Sequence, residues 1–121
     1  MAILPMTAGG GGSSQKVAVG TFSSPQSATT ISVSVGFTPK KLYICGWSGS
    51  NTANQMTYDE DISTTKYIRT YLNNGTGGGA QVTLPSTNNN SLNSIDNDGF
   101  TYRGSTQSVY YGLTYSYVAI G

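Results

Sequence analysis

Few side chains in this sequence can do chemistry, and their spacing limits what they can do. The chain has one cysteine, Cys45, and no histidine. A reactive thiolate needs a cationic or imidazole neighbour, and serine or cysteine triads and most zinc sites need imidazole. Cys45 sits inside the apolar run Leu42-Tyr43-Ile44-Cys45 and reads as a small buried hydrophobe. A single cysteine also excludes an intrachain disulfide. Asp59-Glu60-Asp61 offers oxygen ligands to a hard cation but reads as a solvated loop. Asp96-Asn97-Asp98-Gly99 begins like a calcium loop, lacks a glutamate at the required distance, and reads as a β-turn in which Gly99 supplies positive φ. The run Gly9-Gly10-Gly11-Gly12 lacks the Gly-Lys-Ser/Thr ending of a phosphate loop. No carboxylate pair has a spacing that sets a glycosidase geometry. These residues predict no enzyme, no metal site and no cofactor.

The aromatic residues are more informative. There are nine tyrosines and one tryptophan in 121 residues, while only 9% of residues are charged and the net charge is +1. So weak a charge argues against binding nucleic acid or an anionic membrane, which takes clustered Lys and Arg. A core of this size should not absorb nine tyrosines with their hydroxyls satisfied. Some are therefore expected at a surface. Tyr111, Tyr115 and Tyr117 share one face of the last apolar segment and are expected between subunits. Trp47, Tyr58 and Tyr102, read as loop residues, are candidates for stacking on a glycan.

The elements that must position these residues are strands. Ile31, Val33, Val35 and Phe37 alternate with Ser32, Ser34 and Gly36, a period of two that predicts a half-buried strand. Thr38-Pro39 ends it, because proline fixes φ and donates no ladder hydrogen bond. Leu42 to Cys45 is apolar on both faces, as in a strand covered on both sides. Further strands are predicted over 16–22, 55–58, 64–72, 80–84 and 110–120, and the Asp-Gly turn signal within 95–102 leads into another; polar or glycine-rich loops are predicted at 46–54, 73–79 and 86–93. About eight short strands with regular turn signals predict an all-β, antiparallel β-sandwich of jelly-roll-like form over residues 16–121. The core is expected around Ile31, Val33, Val35, Phe37, Leu42 and Ile44. Residues 1–15 read as a flexible arm. Its apolar head, Met1 to Met6, is too short for a membrane span or a signal core, and no basic residue precedes it.

Three stretches carry a resemblance: SVGFTPKKLYICG from Ser34, SIDNDGFTY from Ser94, and the terminal YSYVAIG from Tyr115. Together they resemble a small β domain of tailed-bacteriophage virion proteins, found in tail fibres and minor tail proteins, in which a Gly-Phe-x-Pro-Lys corner leads into an apolar strand. The resemblance implies a non-enzymatic virion component of the tail fibre, tail tip or head decoration type. It would be made in the host cytoplasm, assembled with other virion proteins and self-associated, as a trimer by analogy with fibre-like parts. The arm would anchor it through Ile3, Leu4, Pro5 and Met6. The alternative is a host-receptor or glycan-binding module.

Overall fold

The computed structural model describes residues 15–49, 51–106, 110 and 112–121. They form nine strands and no helix: β1 (Val17–Ser23), β2 (Thr30–Ser34), β3 (Lys41–Ser48), β4 (Thr52–Asp59), β5 (Lys66–Asn73), β6 (Thr76–Thr83), β7 (Ser91–Asp96), β8 (Gly99–Arg103) and β9 (Thr114–Ile120). Every pairing is antiparallel. A six-stranded sheet, β1-β9-β3-β4-β5-β6, is packed on one face by a three-stranded sheet, β2-β8-β7. The chain is thus an all-β sandwich with unequal layers.

Local chemistry accounts for the turns. Asn74 (φ 49°) and Gly75 (φ 82°) link β5 to β6 as a two-residue hairpin, with Asn73 opposite Thr76. Positive φ at both central residues is what an Asn-Gly turn provides. The sequence reading placed a loop over 73–79; the hairpin instead lets Gly77, Gly78 and Gly79 continue directly into β6. Likewise β7 begins at Ser91, inside the loop expected over 86–93, and β9 begins at Thr114, inside the strand expected from residue 110. The turn at Asn97-Asp98 forms as expected, with Asp96 opposite Gly99. Gly99 is not among the glycines with positive φ, which are Gly36, Gly49, Gly75 and Gly112. Glycine is needed there for closeness: a Cβ would lie 1.9 Å from the Val33 carbonyl oxygen.

The three stretches that carry the resemblance meet at one corner. The Asp98 carbonyl accepts hydrogen bonds from the amides of Val35 (2.7 Å) and Gly36 (3.0 Å), and Thr38 Oγ1 donates to the Asn97 carbonyl at 3.1 Å. The Lys40 amide donates to the Ile120 carbonyl at 2.7 Å, and the Phe37 ring lies against Gly121, where a Cβ would sit 2.3 Å from it. The Pro39 side chain is fully buried at this corner. The proline break is therefore a packed junction between the two sheets.

The core holds Leu42, Ile44, Met56, Leu92, Phe100, Tyr102 and Tyr115 as its least exposed large side chains. Leu42 and Ile44 take the central place expected of them. Ile31 and Val33 are only partly buried because β2 is an edge strand; β2 ends at Ser34, short of the expected strand, and Val35 and Phe37, also partly buried, follow it in the turn toward Pro39.

The sandwich also absorbs more tyrosine than expected. Tyr58, Tyr67, Tyr102, Tyr110 and Tyr115 are buried and Tyr117 packs against the core. Part of the reason is glycine placed directly across the ladder. Gly20 faces Tyr117, Gly46 faces Tyr115 and Gly78 faces Tyr71. At each of these glycines a Cβ would come within 2.7 Å of the opposing ring or its hydroxyl. The ring thus fills the space that a glycine leaves in the sheet, a pairing known to support glycines in strands.

Candidate interaction face

The inner face of the six-stranded sheet carries a polar network. Asn54 on β4 is fully buried. Its Nδ2 donates to the Asn90 carbonyl and to the Tyr115 hydroxyl, both at 2.9 Å, and its Oδ1 accepts from Arg69 Nε at 2.8 Å. The Tyr102 hydroxyl donates to the Tyr115 hydroxyl at 2.9 Å, and the hydroxyls of Tyr67 and Ser91 are 2.6 Å apart. The Arg69 guanidinium lies over the rings of Tyr71 (5.1 Å) and Tyr110 (5.3 Å), a cation–π arrangement that holds it in place. This network satisfies the hydroxyls of Tyr67, Tyr102 and Tyr115.

Burial raises the pKa of the Tyr102 hydroxyl, helped by the neighbouring Tyr115, and burial likewise raises those of Tyr58, Tyr67, Tyr110 and Tyr115. A raised folded-state value means the fold favours the neutral phenol. Its contribution is intact below the unfolded-state pKa of about 10 and falls as pH rises beyond it. Stability is therefore expected to be flat through neutral pH and to drop above about pH 10. The phenolate absorbance of the buried tyrosines should rise in one cooperative step together with the loss of β-sheet circular dichroism. Independent titration of all the tyrosines in a protein that stays folded would contradict the burial described.

Among the described residues no layer covers the outer face of the same sheet. Alternation brings Val17, Val19 and Thr21 of β1, Ser116, Val118 and Ile120 of β9, and Tyr43, Cys45 and Trp47 of β3 onto it. Ala53, Gln55 and Thr57 of β4 and Ile68, Thr70 and Leu72 of β5 continue it. Val19 (70% exposed), Trp47 (74%), Val17, Ile68, Tyr43 and Val118 are among the large apolar side chains most open to solvent. Lys41, Asp59 and Lys66 are the charged residues on these strands that face this way among the described residues, and all three stand at one end. There Lys41 Nζ lies 3.3 Å from Asp59 and 3.5 Å from Asp61. The middle of the face is uncharged, and a contiguous apolar surface of this kind marks an interaction site more often than chance. Between β9, β3 and β4 it dips into a shallow, mostly apolar depression bordered by Tyr43, Cys45, Gln55, Ser116 and Val118.

The structure sorts the residues expected at sites. Trp47 is exposed, on β3 and not in a loop. Tyr58 and Tyr102 lie within β4 and β8, are buried in the core, and cannot stack on a glycan. Tyr115 is fully buried and Tyr117 is turned inward beside it, so these rings do not face another subunit. The sequence parity was right, but the face they share is the inner one. Tyr111 and the arm residues Ile3, Leu4, Pro5 and Met6 lie outside the described residues. Cys45 is exposed and not buried, because among the described residues β3 is covered on one face only. The acidic run 59–61 closes on Lys41 at the end of the outer face, and no group of three potential metal-binding side chains occurs among the described residues. The outer face is not legible in the sequence: Val17, Val19, Tyr43 and Val118 lie apart along the chain, and only strand order makes them neighbours. No family model, curated protein or solved structure matches the chain.

Proposed function

We propose that this protein is a non-enzymatic structural component of a tailed-bacteriophage virion, a sandwich domain that joins the particle through its N-terminal arm and associates with copies of itself. The observation that supports this reading is the corner where the three motif stretches meet. The Gly-Phe-x-Pro-Lys turn, the Asn97-Asp98 hairpin and the terminal Ala119-Ile120-Gly121 contact one another through backbone hydrogen bonds and the Phe37–Gly121 contact. The resemblance thus rests on residues that determine one junction of the fold together, not on scattered similarity. Self-association draws support from the uncharged apolar outer face. The subunit contact expected through the tyrosines of the last strand loses that support, since Tyr115 and Tyr117 point inward; the trimer rests on the analogy with fibre-like parts alone. The glycan-binding alternative keeps Trp47 of its three residues.

The arm supplies the test. Its apolar head, Ile3, Leu4 and Met6, is joined to β1 by a run rich in glycine and serine. Such a linker spans about 5–6 Å times the square root of its residue number, enough to reach a neighbouring protein. Removing residues 1–12 should leave a folded domain with an unchanged denaturation midpoint that no longer enters particles. Full incorporation of the truncated protein would refute arm anchoring.

A further inference from the structure

The inner face of the six-stranded sheet opens along β5. The smaller layer meets β5 at Tyr67, whose hydroxyl is 2.6 Å from that of Ser91 on β7. Burial then falls along the inward positions, from Tyr67 at 2% exposed through partly buried Arg69 to Tyr71 at 36%. Arg69 therefore stands where the covering sheet gives out. No other charged residue on the strands of the large sheet faces inward among the described residues. We propose that Arg69 and Tyr71 form a binding site for an acidic saccharide. The Arg69 guanidinium takes a sugar carboxylate, and the Tyr71 ring takes the sugar face beside it. This site goes beyond the structural role and is independent of how the chain joins a particle.

Three observations carry it. The first is an unanswered charge. All five acidic residues of the chain are among the described ones, and none pairs with Arg69. Drawing a guanidinium part-way out of water without a counter-charge carries a cost that a bound anion offsets. The second is orientation. Arg69 Nε donates to Asn54 Oδ1 at 2.8 Å, and the guanidinium lies over the rings of Tyr71 and Tyr110. These contacts hold the plane of the group. They leave its two amino nitrogens without a hydrogen-bond partner among the described residues, and neither nitrogen is shut off from solvent. Two amino groups side by side in a fixed plane are the donor geometry that a carboxylate accepts. The third is the ring. Tyr71 lies across Gly78, where a Cβ would fall 2.5 Å from it, so one side of the ring rests on the sheet. The exposed part offers an apolar surface ending in a hydroxyl, which suits the C–H face and hydroxyls of a sugar. A single cation on a chain of net charge +1 does not suit a nucleic acid or polyphosphate, which take clustered Lys and Arg.

The test titrates the isotope-labelled full chain with a galacturonic acid tetrasaccharide. Nuclear magnetic resonance follows the Arg69 Nε–H and the Asn54 side-chain amide. The expected result is a saturable shift of both signals, while the Trp47 indole N–H on the outer face stays in place. The same tetrasaccharide with its carboxyl groups reduced to alcohols should bind at least about tenfold more weakly. Arg69→Lys keeps the charge but loses the planar fork, and should weaken binding at least about tenfold, read from the Asn54 amide. Tyr71→Ala changes an exposed ring and should weaken binding while the Arg69 signal still moves, so the test stands even if one variant folds poorly. Denaturation midpoints show which variants are folded. Absence of any shift at about 10 mM tetrasaccharide would overturn the proposal. So would equally tight binding of the reduced sugar, of acetate or of inorganic phosphate, or an affinity unchanged by both substitutions. None of these results bears on incorporation of the arm-deleted chain into particles, which tests the structural reading separately.

Discussion

Ile44→Ala is expected to destabilise the domain by about 3–4 kcal/mol, within the usual range for an aliphatic residue cut back to alanine in a packed core. Ile44 is fully buried on β3, the strand with β9 on one side and β4 on the other, so little around it can collapse into the space. Val33→Ala should cost about 1 kcal/mol, because β2 is an edge strand and Val33 is only partly buried. Urea denaturation at neutral pH resolves the difference, since the midpoint moves while the slope stays constant if the unfolded surface is unchanged. Equal costs at the two positions would mean that the three-stranded layer is as central as the six-stranded one. A change below about 0.5 kcal/mol at both would remove β3 from the core, since surface changes of that size are ordinary.

Gly99→Ala should be comparably severe for a different reason. Its Cβ would stand 1.9 Å from the Val33 carbonyl oxygen and 3.2 Å from the Val35 amide nitrogen. Both neighbours are backbone, so no side chain can swing aside. Relief requires β8 to move away from β2, which weakens the paired amides of Val35 and Gly36 on the Asp98 carbonyl. The expected cost is about 3 kcal/mol or more, at or beyond the top of the usual range for overpacking. Gly49→Ala is the useful comparison. Gly49 has φ of 60° and open space where its Cβ would go, so only backbone strain applies, about 1–2 kcal/mol. If Gly99→Ala proved milder than Gly49→Ala, the close approach of β2 and β8 would be wrong.

Much of the fold was legible because period-two alternation is written directly into residues such as Ile31, Val33 and Val35. Leu42 and Ile44 were also readable as core residues. Misreadings came where a residue's meaning depends on a distant partner. Asn74-Gly75 carried a hairpin signal that was hidden by the three glycines after it, which look like loop but lie opposite Tyr71 and its neighbours in β6. Cys45 reads as buried because its strand is apolar on both faces; among the described residues the six-stranded sheet is covered on one side only, so the second apolar face is exposed. The tyrosines were over-counted for the same reason. Nothing local tells Tyr115 that Gly46 stands across the ladder, or that Asn54 and Tyr102 will satisfy its hydroxyl. The outer face is the clearest case. Val19, Val118, Tyr43 and Thr57 come from four strands far apart in sequence, and register alone lines them up.

On the proposed reading, this chain is a structural subunit of a virion, held by its arm. An electron-microscopy map of purified particles, at a resolution that shows side chains, tests it most directly. The expected map shows repeated copies of the sandwich, with residues 1–6 of each seated in a neighbouring virion protein. Particles that lack the chain, or in which residues 1–6 meet no other protein, would overturn that reading.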